Sequence, residues 1–275
     1  MSQTEPGVRT ARRHLEPAIW AGTILLVCGG VAAWVLAGSD SRVAGRFPPR
    51  ESLFTVGNGL QALSLVGAGA VLALARRPVA QSVAAGVAVS SAGLLFGSSV
   101  VGVKHAQPYS GISAVARYEA LEQQAMVVSA VAAAAGVAAL LWLMASRSFT
   151  LEIRRGIQAA CVAAGLVVLV AVPPLAGLGG SGGLDVTSQG AYALVWGLPW
   201  GICLALAGFV RPHVAMGLLV VTAVSQVCTI VFWPMPDLVG WTDAVGGVVG
   251  LVATAIVWRA LSRSWPARVM RYDGR

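Results

Sequence analysis

The sequence predicts an all-α integral membrane protein of eight transmembrane helices, arranged as two parallel four-helix repeats with both termini in the cytoplasm. Three observations carry that expectation. Eight apolar stretches are each long enough to cross a bilayer, whose hydrocarbon core of about 30 Å takes about 20 residues of helix. The arginines fall mostly on one side of those stretches. The second half of the chain echoes the first, and self-similarity of that kind marks a duplicated structural unit.

Taken in order, the expected spans are 17–38, 53–75, 79–103, 123–145, 156–178, 189–210, 214–233 and 238–258. The first follows an arginine-bearing tail and has full bilayer length rather than the short apolar core of a signal peptide, so it reads as a retained helix. The second carries Asn58, Gln61 and Ser64 and stops before Arg76, Arg77 and Pro78. The third contains Gly93 and Gly97, whose small-xxx-small spacing permits close helix contact. The fourth opens after Glu122 on Gln123 and Gln124, and the fifth contains Pro173 and Pro174. The sixth carries Tyr192 and holds Pro199 between Trp196 and Trp200. The seventh carries Ser225, Gln226 and Thr229, and the eighth carries Asp243 with Gly246 and Gly250. The chain then divides into a basic tail 1–16, a first four-helix half 17–145, a basic linker 146–155, a second half 156–258 and a basic tail 259–275.

Composition leaves little room for a water-soluble fold. Hydrophobic residues make up 57% of the chain and charged residues 11%, against roughly 45 to 50% and about 25% in soluble proteins. Mean hydropathy is +0.77. The net charge of +8 would point to nucleic acid in a soluble protein, but its placement points to topology. With the N-terminus inside, fourteen of the nineteen basic residues are cytoplasmic: Arg9, Arg12, Arg13, Arg76, Arg77, Arg147, Arg154, Arg155, Arg211, Arg259, Arg263, Arg268, Arg271 and Arg275. Arg42, Arg46, Arg50, Lys104 and Arg117 stay outside, beside seven of the acids. The positive-inside rule therefore sets both termini in the cytoplasm. Anionic headgroups, each worth about 1 kcal/mol per basic residue, are the expected partner of these arginines. No interleaved aromatic platform supports nucleic-acid binding. Arginine dominance over lysine, with spans rich in Ala, Gly and Val, suggests a bacterial plasma membrane.

The repeat is clearest where spans four and eight end. Trp142, Ser146, Arg147 and Ser148 match Trp258, Ser262, Arg263 and Ser264 in register. Arg77 and Pro78 likewise match Arg211 and Pro212, and Ser90 and Ser91 stand opposite Ser225 and Gln226. Four spans per unit return the chain to the side it left, so the two halves enter the bilayer in the same direction. The halves differ mainly in the segment 104–122, which is expected to form a long outer loop.

Polar residues amid oil are the candidate functional groups. A carboxylate in hydrocarbon costs at least about 2.5 kcal/mol, which makes Asp243, six residues beyond Asp237, the sharpest candidate for proton coupling, with Glu122 second. Asn58, Gln61, Tyr192 and Gln226 are candidate lining for a cavity opening outward, with interhelical hydrogen bonding the competing account. Pro173, Pro174 and Pro199 are candidate helix breaks, since proline removes a backbone donor and bends a helix.

Much chemistry is absent from the sequence. Cys28, Cys161, Cys203 and Cys228 all lie within spans and have no zinc-ligand spacing, so they read as packing residues. His14, His105 and His213 lie outside the span interiors, where a bis-histidine haem is not expected. No nucleophile triad, metalloprotease, P-loop or dinucleotide motif is present, and no cofactor is expected. The leading functional expectation is a permease or exporter of a small amphiphilic or cationic molecule. The alternative is a non-transporting membrane subunit that anchors, senses or assembles a membrane protein partner.

Overall fold

The computed structural model describes residues 49–75, 77–105, 112–146, 148, 155–177, 197–232 and 239–264. Side chains are described over 59–75, 77–97, 126–146, 148, 155–172, 197–230 and 244–264. These residues form seven helices: α1 (Pro49–Leu74), α2 (Pro78–His105), α3 (Ile112–Ala145), α4 (Arg155–Gly177), α5 (Leu198–Ala207), α6 (Pro212–Phe232) and α7 (Val239–Ser264). Among them, α2, α3, α4, α6 and α7 contain stretches long and apolar enough to cross a membrane. Span 17–38, Tyr192, the basic tail 1–16 and residues 265–275 of the second basic tail lie outside the described residues.

Several boundaries differ from expectation: α1 starts at Pro49, four residues early, and α7 runs to Ser264, six residues past span eight, so the basic tail 259–275 begins as helix. Helix α3 begins at Ile112, eleven residues before the expected start of span four, while α2 runs on to His105. Most of the supposed outer loop is therefore helical, because Ile112 to Leu121 contains no proline or glycine to stop the helix. Glu122 consequently stands in the body of α3 rather than at its first turn.

The outside and inside of the bundle are built from different residues. Val245, Val248, Val252 and Ile256 of α7, Leu166, Val167 and Val170 of α4, and Val137, Leu141 and Met144 of α3 are all exposed. The core is made of small residues, notably Ala84, Ala85, Ala88 and Ala92 of α2 against Ala135, Ala138 and Ala139 of α3, with Trp200, Leu204 and Leu218 as larger plugs. Branched aliphatics outside and small residues within suit helices solvated by hydrocarbon, where close approach and interhelical hydrogen bonds replace a hydrophobic drive. The fold is thus compatible with a polytopic membrane protein.

Glycines fix the helix directions. A Cβ on Gly86 of α2 would run into the Val214 carbonyl oxygen of α6 and stand 3.1 Å from the Gly217 Cα; one on Gly217 would run into the Val83 carbonyl and stand 3.1 Å from the Gly86 Cα. Four residues farther along α2, Ser90 meets Thr222 of α6, so α2 and α6 run parallel. Gly165 of α4 meets Gly201 of α5 while Cys161 meets Gly208, which makes α4 and α5 antiparallel. Helices α2, α4 and α6 run one way, and α1, α3, α5 and α7 the other. Helix α2 packs against α1, α3 and α6, and α4 packs against α5 and α7.

One end of the bundle is basic as a result. Arg77, Arg155, Arg211, Arg259 and Arg263 are exposed there. Short-range hydrogen bonds tie this end together. Gln81 Nε2 donates to the Leu72 and Ala75 carbonyls at 3.3 and 2.9 Å, satisfying acceptors that the end of α1 leaves open. The Arg211 N–H donates to the Ser148 carbonyl at 2.8 Å, joining the segment after α3 to the turn before α6. Ser146 and Ser262 donate to the carbonyls three residues back, at Leu143 and Arg259.

Candidate functional site

Helix α6 supplies the polar seam of the core. Thr222, Ser225, Gln226 and Thr229 recur at intervals of three, one and three residues, which sets them on one helical face. Each meets a different neighbour. Thr222 Oγ1 donates to the Leu218 carbonyl at 2.8 Å and lies 3.3 Å from Ser90 Oγ of α2. Cys203 of α5 points its thiol at the same Ser90 oxygen at 3.5 Å. Ser225 Oγ accepts from the Trp200 indole N–H at 3.2 Å. Thr229 returns its hydroxyl to the Ser225 carbonyl at 3.0 Å.

Gln226 is the least satisfied member of the seam. Its side chain is fully buried. Oε1 accepts from Thr254 Oγ1 of α7 at 2.9 Å, whereas Nε2 has no hydrogen-bond partner. The carboxamide packs against α7 at Gly250, where a Cβ would stand 2.8 Å from Nε2, and a Cβ on Gly247 would stand 3.1 Å from the Gln226 backbone carbonyl oxygen. The Gly246 and Gly250 spacing noted in the sequence thus serves this contact through Gly250, while Gly246 faces Val172 of α4. Ser91 of α2 is also fully buried with its hydroxyl unpaired.

The remaining sequence candidates are dispersed. Gln61 is half-buried on α1 with an unpaired Oε1. Its neighbour Ala62 belongs to a second cluster with Leu95, Val128 and Ala132, apart from the larger core that contains Thr222's neighbours Leu218 and Leu219. Helix α2 stands between α1 and α6, so Gln61 and Gln226 are not brought together. Asn58 lies in α1, Glu122 in α3 and Asp243 in α7, with side chains outside the described set, and Tyr192 lies outside altogether. Asp243, Gly247, Gly250 and Thr254 are nonetheless spaced by four, three and four residues, one stripe of α7.

The prolines differ in what they cost. Helix α4 continues through Pro173 and Pro174 to Gly177, and the two missing N–H groups leave the carbonyls four residues back, at Leu169 and Val170, without their helical donors. Pro199 stands in the first turn of α5, where the missing N–H has no intrahelical partner to lose, and it is buried against α2 near Gly93.

Thr222, Thr254, Trp200 and Cys203 were not legible as site residues. The signal available for Thr222 was its spacing of four from Gln226 and seven from Thr229. Thr254 sits amid apolar residues and is identified only by the partner across the seam.

Comparison with known protein families, curated proteins and solved structures found no match.

Proposed function

We propose that this chain is an integral membrane permease or exporter of a small amphiphilic or cationic molecule, seated in a bacterial plasma membrane with the basic end cytoplasmic. The observation that carries this proposal is Gln226, a fully buried side chain with an unpaired amide nitrogen inside a helix bundle that faces hydrocarbon. Polar groups in a membrane interior are expensive, and they concentrate where a solute or ion is handled. If the chain is two parallel halves, the close crossing of α2 and α6 at Gly86 and Gly217 supplies a pivot about which access alternates. Asp243 couples protons, from a position on the same α7 stripe as Gly247, Gly250 and Thr254.

The test is transport by reconstituted protein. Proteoliposomes with an imposed pH gradient are assayed for accumulation of ethidium and tetraphenylphosphonium as probe cations. Gradient-driven uptake is expected, and Asp243→Asn abolishes it. Uptake at the wild-type rate in Asp243→Asn rejects proton coupling through this residue.

A second reading is a non-transporting membrane subunit. It is favoured by the backbone-to-backbone closures at Gly86 with Gly217 and Gly165 with Gly201, which suit a static scaffold. Purification from the native host in mild detergent separates the two readings. A stoichiometric membrane protein partner, with no transport by the chain alone, selects the subunit.

A further inference from the structure

The seam between α6 and α7 holds an amide donor with nothing to donate to. Gln226 Nε2 is buried, and the other half of the carboxamide is committed to Thr254. Thr222 and Thr229, one helical turn to either side of Gln226, spend their hydroxyls on carbonyls of α6 itself. Across the seam α7 presents bare backbone at Gly250, which leaves no side chain over the carboxamide, while Gly247 lets α7 approach the Gln226 backbone carbonyl and Ile230. When α6 and α7 separate, they therefore uncover a shallow cradle with one directed donor.

The surroundings restrict what fits there. Gln226 stands fourteen residues from Pro212, about 21 Å along α6 from the basic end at 1.5 Å per residue. Among the described residues of the seam, the side chains beside Gln226 are uncharged. Ile230 of α6 and Val172 of α4 bound the same stretch of α7 and are apolar. The unpaired group is a donor, and its complement is an acceptor oxygen.

We propose that Gln226, set against Gly250, is a binding site for the carbonyl oxygen of a neutral, apolar molecule. The inference rests on the permease reading in that this molecule is one cargo, and it assigns the Gln226 site to the uncharged amphiphilic class, the cationic probes being left to the Asp243 end of α7. Isoprenoid quinones and glycerolipid esters share the carbonyl chemistry. Gln226 stands six residues from Phe232, about 9 Å from the other end of α6. An ester held at that headgroup boundary has to descend about this far to reach it, whereas a free quinone head is not tethered there.

The test uses the full-length protein in mild detergent, titrated with decylubiquinone, with diolein as the ester arm and dodecane as a probe lacking oxygen. Binding is read as a saturable rise in thermal unfolding temperature. Decylubiquinone is expected to bind the wild type, dodecane to have no effect, and Gln226→Leu to weaken decylubiquinone at least tenfold. Gly250→Leu, which fills the cradle and keeps the amide, is expected to weaken it as much. Size-exclusion profiles matching the wild type establish that each variant is folded, and Gln226→Met replaces the leucine variant if it is not. Diolein binding with the same dependence on Gln226 assigns the site to lipid rather than quinone. Absence of binding by both carbonyl probes overturns the proposal, as does binding that Gln226→Leu leaves unchanged. Gln226-dependent binding with no gradient-driven uptake of any probe in proteoliposomes rejects the permease reading and keeps the site.

Discussion

Gly86 and Gly217 occupy each other's missing side-chain space: the Cβ that either lacks would overlap a backbone carbonyl three residues before the other. Each glycine is therefore required by its partner. Replacing either with alanine forces backbone rather than a flexible side chain to move, and overpacking of this kind costs about 1 to 3 kcal/mol. Gly86→Ala and Gly217→Ala are each expected near the upper end of that range. The double variant should cost less than their sum, because the first substitution already separates the helices. Thermal unfolding in detergent, arranged as a double-mutant cycle, reads the coupling; strict additivity means that the two sites do not share one crossing.

The Gln226 carboxamide sets a single variant against a double one. Thr254→Val removes the donor to Oε1 and leaves a buried amide unpaired at both ends, at an expected cost of about 1 to 2 kcal/mol. Gln226→Leu combined with Thr254→Val removes every polar atom of the pair in nearly the same volume, and stability of the double variant is expected within about 0.5 kcal/mol of wild type or above it. The opposite ordering, with the double variant the more damaging, would show that Nε2 has a partner in the folded protein.

Gln81 bridges the end of α1 from the first turn of α2. Gln81→Glu keeps the length and removes the donor that serves Leu72 and Ala75, leaving a carboxylate among carbonyl oxygens. It is expected to lower stability by about 1 to 2 kcal/mol, and by more than Gln81→Ala does. Unfolding at several pH values gives a further check. The glutamate penalty shrinks toward the alanine value as pH falls through the carboxyl range, because the protonated acid regains a donor.

Charge asymmetry makes a topological prediction. Green fluorescent protein fused after residue 275 fluoresces in a bacterial host, and alkaline phosphatase inserted after residue 148 is inactive. Phosphatase inserted after residue 108 is active. Activity at 148 with none at 108 reverses the assigned orientation.

Most of the helices were legible because a bilayer-length apolar run has few alternative structures. The descriptors that failed were those that depend on neighbours. The outer segment before Glu122 reads as loop by its charge, yet its ten residues from Ile112 to Leu121 lack any helix stop, and local propensity prevailed. Asn58 and Gln61 form a polar stripe by spacing, but spacing does not tell which helix faces that stripe. The described partner of α1 is α2, which removes Gln61 from the seam. Gln226 was identifiable because an amide amid Val and Cys is conspicuous. Thr254, its partner, was not, since threonine is unremarkable in a membrane helix and the pairing spans two helices.

The parallel contact between α2 and α6 joins residues 131 positions apart in the chain. At a synthesis rate of about 5 to 20 residues per second, α2 waits between about 7 and 26 s for the helix it will pack against. During that interval the Ser90 hydroxyl and the bare backbone at Gly86 have no α6 to cover them. Their temporary cover has to come from α1, α3, lipid or the insertion machinery. A ribosomal pause before α6 is synthesised would lengthen that exposure, so the speed of translation through residues 148–211 bears on how much chain reaches its final assembly.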